Sequence, residues 1–183
     1  MRMNPKGENK RHKNDLYSTP KNAIKPITPY LCRDSGIWEP ADGNGAISST
    51  LEAYGFDNIV RTDITTGQDF FKEYKLLAPQ IVTNPPYSCA TEFLLHAMSL
   101  KPKKIILLLR LAFLESVKRY SIFKSSEYMP LERVLVFSNR LKFRIEGSRS
   151  GAGMVPYAWF IWGEGHLRHT SKPEIDWVLA SKA

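Results

Sequence analysis

The stretch that decides the fold is IWEPADGNG, residues 37–45, together with the helical pattern of residues 46–54 behind it. The residues Ile37-Trp38-Glu39-Pro40 predict a short strand. The glycines that follow allow the chain to turn sharply and let its backbone approach a ligand closely. The helical spacing then runs to Tyr54 and stops at Gly55, a typical residue just beyond a helix end. This segment therefore predicts a strand, a glycine-rich turn and a helix in succession.

Working outward, the same alternation of strand and helix signals continues along the chain. A short or broken helix is expected over 18–33, because two prolines interrupt it, and a longer helix over 89–99. Further strands are predicted at 58–63, 80–83, 104–109, 134–138 and 158–162. Strands that alternate with helices indicate an α/β fold with a doubly wound, mostly parallel sheet and helices on both faces.

Length and charge limit the class of protein. A chain of 183 residues fits one domain, which we place at 15–183 behind a flexible basic arm at 1–14. The net charge of +8 indicates an anionic partner, most often nucleic acid, although a basic protein without such a partner would look the same. The arm would follow phosphates through Lys10, Arg11 and Lys13, or it is simply a solvated tail.

Several other classes are disfavoured by the sequence. Cys32 and Cys89 lack metal-ligand spacing, and the four histidines form no ligand pattern, so we expect no metal and reduced thiols. The apolar run 105–114 is too short to cross a bilayer, and no apolar stretch follows the charged start. These features predict a cytoplasmic protein with no membrane partner.

An acidic residue follows the glycine turn at an informative distance. Asp63 comes about twenty residues after Gly43, at the end of the second strand, where a carboxylate can accept hydrogen bonds from ribose hydroxyls. The turn lacks the third glycine of the dinucleotide fingerprint. A nucleoside ligand without a pyrophosphate is therefore favoured over NAD, and a purely structural turn is the alternative.

The sequence NPPY, residues 84–87, follows the strand at 80–83. Pro85 and Pro86 fix the backbone and lack N–H groups, so carbonyl oxygens are the backbone groups left for a ligand. The Asn84 side-chain oxygen and the Pro85 carbonyl would form two acceptors for one amino group, and Tyr87 could stack on a planar ring. A proline-stiffened loop without a ligand is the alternative interpretation.

Together, EPADGNG and the later NPPY resemble the class I S-adenosylmethionine-dependent amino-methyltransferases that modify adenine N6 in DNA. Tyr17-Ser18-Thr19-Pro20 is similar to the element that precedes the cofactor loop in those enzymes, and the compact phage-type members are the most alike. The resemblance implies a Rossmann-like fold with a late antiparallel strand, and S-adenosylmethionine as the cofactor. NPPY also occurs in methyltransferases that act on protein glutamine and ribosomal RNA.

The resemblance also implies roles for individual residues. Thr19 and Pro20, after Tyr17, would hold the methionine part of the cofactor, and Asp63 its ribose. Asp69 would accept from the cofactor adenine while Phe70 packs on its ring, although a Phe70 in the core would give the same pattern. The cofactor loop would be lined by Glu39, Ala41, Asp42, Gly43 and Gly45, and transfer would depend on Asn84, Pro85, Pro86 and Tyr87.

A basic loop lies between the last two predicted strands. It carries Arg140, Lys142, Arg144 and Arg149. Because it is expected beside the active-site edge, we interpret these residues as phosphate contacts, against the alternative of a solvated loop. The aromatic residues of 157–162 are expected to fill the core, with a base-stacking role for one of them as the alternative.

The sequence is compatible with three functions. The first is methylation of adenine N6 in DNA, and the second is methylation of an amino group in RNA or on a protein glutamine. The third is a nucleic-acid-binding regulatory subunit that keeps the fold without turnover. Since the chain is too short for the target-recognition region of longer DNA adenine methyltransferases, a partner subunit could supply specificity.

Overall fold

The computed structural model describes residues 17–145, 155–163 and 172–181, with the backbone alone for Tyr17, Arg144 and Ile145. The predicted arm at 1–14 lies outside these ranges. The described strands are β1 Tyr17–Ser18, β2 Ile37–Glu39, β3 Ile59–Arg61, β4 Gln80–Thr83, β5 Lys104–Arg110, β6 Leu131–Phe137, β7 Arg144–Ile145, β8 Tyr157–Gly163 and β9 Glu174–Val178. The α-helices within the same ranges are α1 Ala46–Ala53, α2 Ala90–Ser99 and α3 Tyr120–Lys124.

Seven strands form one mixed sheet in the order β3-β2-β4-β5-β8-β6-β9. Strands β3, β2, β4 and β5 are parallel, whereas β8 is antiparallel to both of its neighbours, β5 and β6. This arrangement confirms the predicted α/β fold with a mostly parallel sheet and a late antiparallel strand.

The core lies on both faces of the sheet. On one face Ile47 and Leu51 of α1 pack with Ile106 and Leu108 of β5. On the other face, residues of α2, including Phe93, pack with the alternate residues of β5. Because helices cover both faces, every residue of 105–109 is fully buried, which explains the continuous apolar run in the sequence.

The segment before β2 is the broken helix expected from its prolines. It forms two short 3₁₀ helices, Lys21–Ala23 and Lys25–Tyr30. The indole Nε1 of Trp159, in β8, donates a hydrogen bond to the Ala23 carbonyl oxygen over 2.7 Å. This hydrogen bond connects the segment before β2 to strand β8.

The structure differs from the sequence-based boundaries in several places, and β3, for example, is shorter than the predicted 58–63. Strand β6 begins at Leu131 rather than 134 because the pairing with β8 continues past an irregularity between Leu131 and Arg133. Strand β9 was not predicted, and neither was the antiparallel pair of β1 with β7. In the described part of the chain, no helix has the length and apolar character that crossing a membrane requires.

Candidate active site at the carboxyl edge of the sheet

Four adjacent parallel strands end in polar side chains at the same edge of the sheet. Glu39 and Arg110 are the last residues of β2 and β5. Asp63 lies two residues beyond β3, and Asn84 directly follows β4. Ligands of open α/β sheets bind outside this edge, where the strand order reverses. The sequence analysis identified three of these residues as site candidates but missed Arg110. Its position at the end of a predicted strand could have indicated it.

The glycine turn after β2 is held in one conformation. Gly43 and Gly45 have φ values of 57° and 75°, which disfavour residues with a side chain. The Gly43 N–H donates to Asp63 Oδ2 over 2.9 Å, and the Ser48 hydroxyl donates to Asp42 Oδ1 over 2.5 Å. These hydrogen bonds fix the conformation of the turn without a ligand.

Asp63 is buried and already accepts several hydrogen bonds. Its Oδ1 accepts from the N–H and the hydroxyl of Thr65, over 2.8 and 2.6 Å, while Oδ2 accepts from Gly43. Since a carboxylate has about four acceptor positions, one position remains on Oδ2. Asp63 therefore joins the glycine turn to the end of β3 and can still accept from one ligand hydroxyl.

Glu39 is fully buried beneath the turn. Its Oε1 accepts from the Ala41 N–H over 3.1 Å, but Oε2 has no hydrogen-bond partner. Burial raises the pKa of the Glu39 carboxyl well above its ordinary value, and the carboxylates of Asp42 and Asp63 raise it further, against smaller opposing effects of Thr83 and Ala41. A buried carboxyl with one unused oxygen is suited to binding a polar ligand group.

In the NPPY segment, one end of the Asn84 amide is hydrogen-bonded and the other is not. Asn84 Nδ2 donates to the hydroxyl of Thr19 over 3.1 Å, while Oδ1 is buried without a hydrogen-bond partner. Thr19 therefore orients the amide so that its acceptor is the atom left for a ligand. Pro85 is buried and Pro86 exposed, and neither can donate a backbone hydrogen bond.

Tyr87 lies between a cation and a second tyrosine. The guanidinium of Arg110 is 5.1 Å from the centre of the Tyr87 ring. The centre of the Tyr157 ring is 5.5 Å from that of Tyr87, and Tyr157 in turn contacts the ring of Phe143. Burial, together with Tyr157, raises the pKa of the Tyr87 hydroxyl well above its ordinary range, so the hydroxyl is neutral. That hydroxyl lies close to the side chains of Tyr157 and Asn84 but makes no hydrogen bond of normal geometry with either.

Unpartnered polar atoms are concentrated at this edge. In the described ranges, six buried side-chain polar atoms lack a partner, and four of them belong to residues of β2 and the segment 83–87. These four atoms are Glu39 Oε2, Thr83 Oγ1, Asn84 Oδ1 and the Tyr87 hydroxyl. They belong to two neighbouring pairs, because Thr83 lowers the pKa of Glu39 and Asn84 lowers that of Tyr87. Because burying an unsatisfied polar group costs about 1 to 3 kcal/mol, such a cluster indicates a ligand site.

The acidic-aromatic pair behaves differently. Asp69 Oδ1 accepts from the Phe71 N–H over 3.1 Å and so caps a short 3₁₀ helix, Phe70–Lys72. Phe70 is buried and stacks on Phe93 with ring centres 4.2 Å apart. This is the core packing that was the alternative for Phe70, and the proposed contacts of both residues with a cofactor adenine stay predictions.

The start of the basic loop lies near the amide site. Arg140 and Lys142 are exposed, while Leu141 and Phe143 between them are buried. The backbone of Arg144 pairs with Ser18, next to Thr19. Other predicted nucleic-acid contacts, Arg149, Lys10, Arg11 and Lys13, lie outside the described residues. Within the described ranges no three His, Cys, Asp or Glu side chains gather as a metal-binding group.

Comparisons with known proteins agree on the fold. A proposed RNA methyltransferase of Pyrococcus horikoshii is 14% identical, with a TM-score of 0.60 over 81% of this chain and 86% of that one. A proposed class I S-adenosylmethionine-dependent methyltransferase of Listeria monocytogenes is 13% identical, with a TM-score of 0.60 over 89% of this chain and 66% of that one. A dimethyladenosine transferase of Plasmodium falciparum is 12% identical, with a TM-score of 0.51 over 80% of this chain and 62% of that one.

No protein-family model matches the sequence, and no curated protein matches it. At these identities the similarity shows the fold alone. The chain spans less than two thirds of the Plasmodium enzyme. The protein therefore has the Rossmann-like fold of class I methyltransferases, and its activity must be argued from its own site.

Proposed function

We propose that this protein is an S-adenosylmethionine-dependent methyltransferase that methylates the exocyclic amine of adenine, N6, in DNA. The observation that carries the proposal is Asn84 Oδ1, a buried acceptor fixed by Thr19 and left without a partner beside Pro85. With the Pro85 carbonyl it would offer two acceptors to one nitrogen, which suits an amino group with two N–H donors rather than a hydroxyl with one or a carbon nucleophile.

The residues present fit the cofactor. The glycine turn and Asp63 offer a preformed backbone and one carboxylate position for a ribose hydroxyl, and Glu39 offers a further oxygen. Thr19 and Pro20 would lie along the methionine part. When bound, S-adenosylmethionine supplies a methyl group on a positively charged sulfur.

The protein's own residues would orient and activate the amine. The lone pair of an aromatic amine is delocalised into its ring, so the amine is a poor nucleophile. Hydrogen bonds from the amine to Asn84 Oδ1 and the Pro85 carbonyl would favour a more tetrahedral nitrogen, and positioning would supply much of the remaining acceleration. Tyr87 would stack on the adenine, which must leave its duplex at a cost of about a few kcal/mol.

A second candidate is methylation of adenine in RNA. Two of the structural neighbours carry names that refer to RNA or to dimethyladenosine. The exposed Arg140 and Lys142 fit either nucleic acid, whereas a protein glutamine substrate would not account for the net charge of +8. A binding subunit without turnover would not require a prepared amine acceptor. Under each of these functions a partner subunit could contribute sequence specificity.

The test is transfer of labelled methyl from S-adenosylmethionine to DNA, RNA and protein offered separately, followed by nucleoside analysis. We expect label in DNA, as N6-methyladenine. Label in RNA alone would establish the second candidate instead. Transfer to none of the three would contradict an enzymatic function for this chain.

A further inference from the structure

A pocket of about 190 Å³ opens beside Tyr87 at the carboxyl end of β5. Its walls include Tyr87, Ala90, Leu109, Arg110, Phe113 and Arg119. Aromatic and aliphatic residues therefore line it together with two arginines. This combination suits a ligand that is both planar and negatively charged, as a nucleotide is.

The two arginines of the pocket are in different situations. Arg119 donates to the carbonyl oxygens of Phe113, Ala112 and Glu115 over 2.8, 3.3 and 3.0 Å, and its guanidinium lies 4.4 Å from the centre of the Phe113 ring. These contacts use the donors of Nε and Nη2 to fix the turn after β5. Arg119 is therefore a structural residue of the pocket wall.

Among the described residues, no carbonyl holds the Arg110 guanidinium as three carbonyls hold that of Arg119. Its side chain is exposed and lies against the Tyr87 ring, and within the described ranges no carboxylate forms an ion pair with it. A planar guanidinium can donate two parallel hydrogen bonds to a phosphate while one of its faces rests on an aromatic ring. The position of Arg110 permits both contacts at once.

The segment beyond the pocket exposes apolar, aromatic and cationic side chains. Val117 and Tyr120 are 95% and 65% exposed, and Leu114 is also exposed. Lys118 lies between them and is exposed as well. Aromatic and apolar faces interleaved with cations are typical of surfaces that bind unstacked nucleotides.

We propose that Arg110 binds the phosphate beside the nucleotide whose base is held by Tyr87. This inference rests on the proposed function and adds to it a named phosphate contact on the substrate side of the site. The same guanidinium holds the Tyr87 ring in place, so a single residue joins backbone binding to base positioning.

The test compares binding of fluorescent DNA and RNA oligonucleotides, without cofactor, over a series of salt concentrations. Removal of one phosphate-binding cation in Arg110→Ala should reduce the slope of log K against log salt by about 0.9 for duplex DNA or about 0.7 for single strands. Arg110→Lys, which keeps the charge, should restore the slope. Lys103→Ala is the matched control, because Lys103 is exposed at the opposite end of the same strand; its slope should equal that of the wild type.

Three results would overturn the inference: an unchanged slope in Arg110→Ala, an equal reduction in Arg110→Ala and Lys103→Ala, or a wild-type protein that binds neither oligonucleotide. A merely structural role for Arg110 would alter thermal unfolding without altering the slope. Methyl transfer by the wild type is measured separately. Absence of transfer would remove the proposed function, whereas normal transfer with an unchanged slope would remove only the role of Arg110.

Discussion

At the scale of the residue, Asp63 has two tasks that a variant can separate. It holds the glycine turn through Gly43 and offers one acceptor position to a ligand. We expect Asp63→Ala to weaken binding of S-adenosylmethionine, measured by calorimetry. Asp57→Ala is the control, because Asp57 is an exposed carboxylate at the other end of β3. Equal affinity in the wild type and Asp63→Ala would remove this residue from the cofactor site.

Glu39 makes stability depend on pH. Its pKa in the folded protein is raised above the ordinary value of 4.5, so its contribution to stability is fully present below that value and is lost as the pH rises through the raised pKa. Glu39→Gln should remove this loss and increase the free energy of unfolding at neutral pH.

Denaturant unfolding at several pH values measures the effect of Glu39. The control is Glu127→Gln, which changes an exposed carboxylate. Unfolding free energies that run parallel with pH in the wild type and Glu39→Gln would show that the carboxyl titrates normally. If Glu39 also contacts the cofactor, the more stable variant should bind S-adenosylmethionine less tightly. Such a result would mean that the buried carboxyl lowers stability but contributes to binding.

Tyr87 should serve substrate capture through its ring. Tyr87→Ala should weaken oligonucleotide binding by about 1 to 3 kcal/mol, the usual range for loss of a base-aromatic stack, whereas Tyr87→Phe should have a smaller effect because the ring survives. Tyr30→Ala is a close control, since Tyr30 is also half-buried with an arginine, Arg133, 5.1 Å from its ring centre. Equal losses in Tyr87→Ala and Tyr30→Ala would point to a general effect on folding.

At the scale of the element, the segment after β6 alternates exposed cations with buried apolar residues. Leu141 and Phe143 anchor it, so Arg140 and Lys142 are presented to solvent at fixed positions. If both bind phosphates of duplex DNA, replacing both by Ala should reduce the salt slope of binding by about 0.9 for each of the two cations. Lys101→Ala with Lys103→Ala removes the same charge elsewhere. A slope unaffected by the first pair would return these residues to the solvated-loop interpretation.

The elements show why sequence patterns succeeded in some places and failed in others. Strand β5 was predictable because both of its faces are buried, which forces an uninterrupted apolar run. Strand β9 is an edge strand whose Ile175 and Trp177 are 53% and 67% exposed. Its sequence therefore lacks the alternation of buried apolar and exposed polar residues by which a strand is recognised. The pairing of β1 with β7 joins residues more than 120 positions apart, and no local pattern encodes such a contact.

The candidate site was predictable to a similar degree. Glycine permits backbone conformations that other residues avoid and proline restricts the backbone, so the turn at 42–45 and the NPPY segment could be identified from residue types alone. The contact of Arg110 with Tyr87 depends on where two strands end in space, and the stacking of Phe70 on Phe93 depends on the packing of α2. Such contacts are tertiary, and the sequence could only offer the buried Phe70 as one of two alternatives.

At the scale of the whole molecule, the candidate site residues that the structure describes gather at the carboxyl edge of the sheet. The four residues that follow or end parallel strands meet there, the basic segment 140–144 begins beside it, and the pocket of Arg110 opens on it. A rigid sheet covered by helices on both faces holds these groups in place. The proposed function therefore depends most on the amine acceptor at the centre of this edge.

The most direct measurement is the rate of methyl transfer to DNA by Asn84→Ala under single-turnover conditions, with cofactor affinity measured on the same protein. We predict a rate lower by a factor of roughly 100 or more, as for loss of an oxyanion-hole donor, and an almost unchanged affinity for S-adenosylmethionine. Asn58→Ala, an exposed asparagine at the far end of β3, should transfer at the wild-type rate. An Asn84→Ala protein that folds, binds the cofactor and methylates DNA as fast as the wild type would contradict the proposed role of the amide.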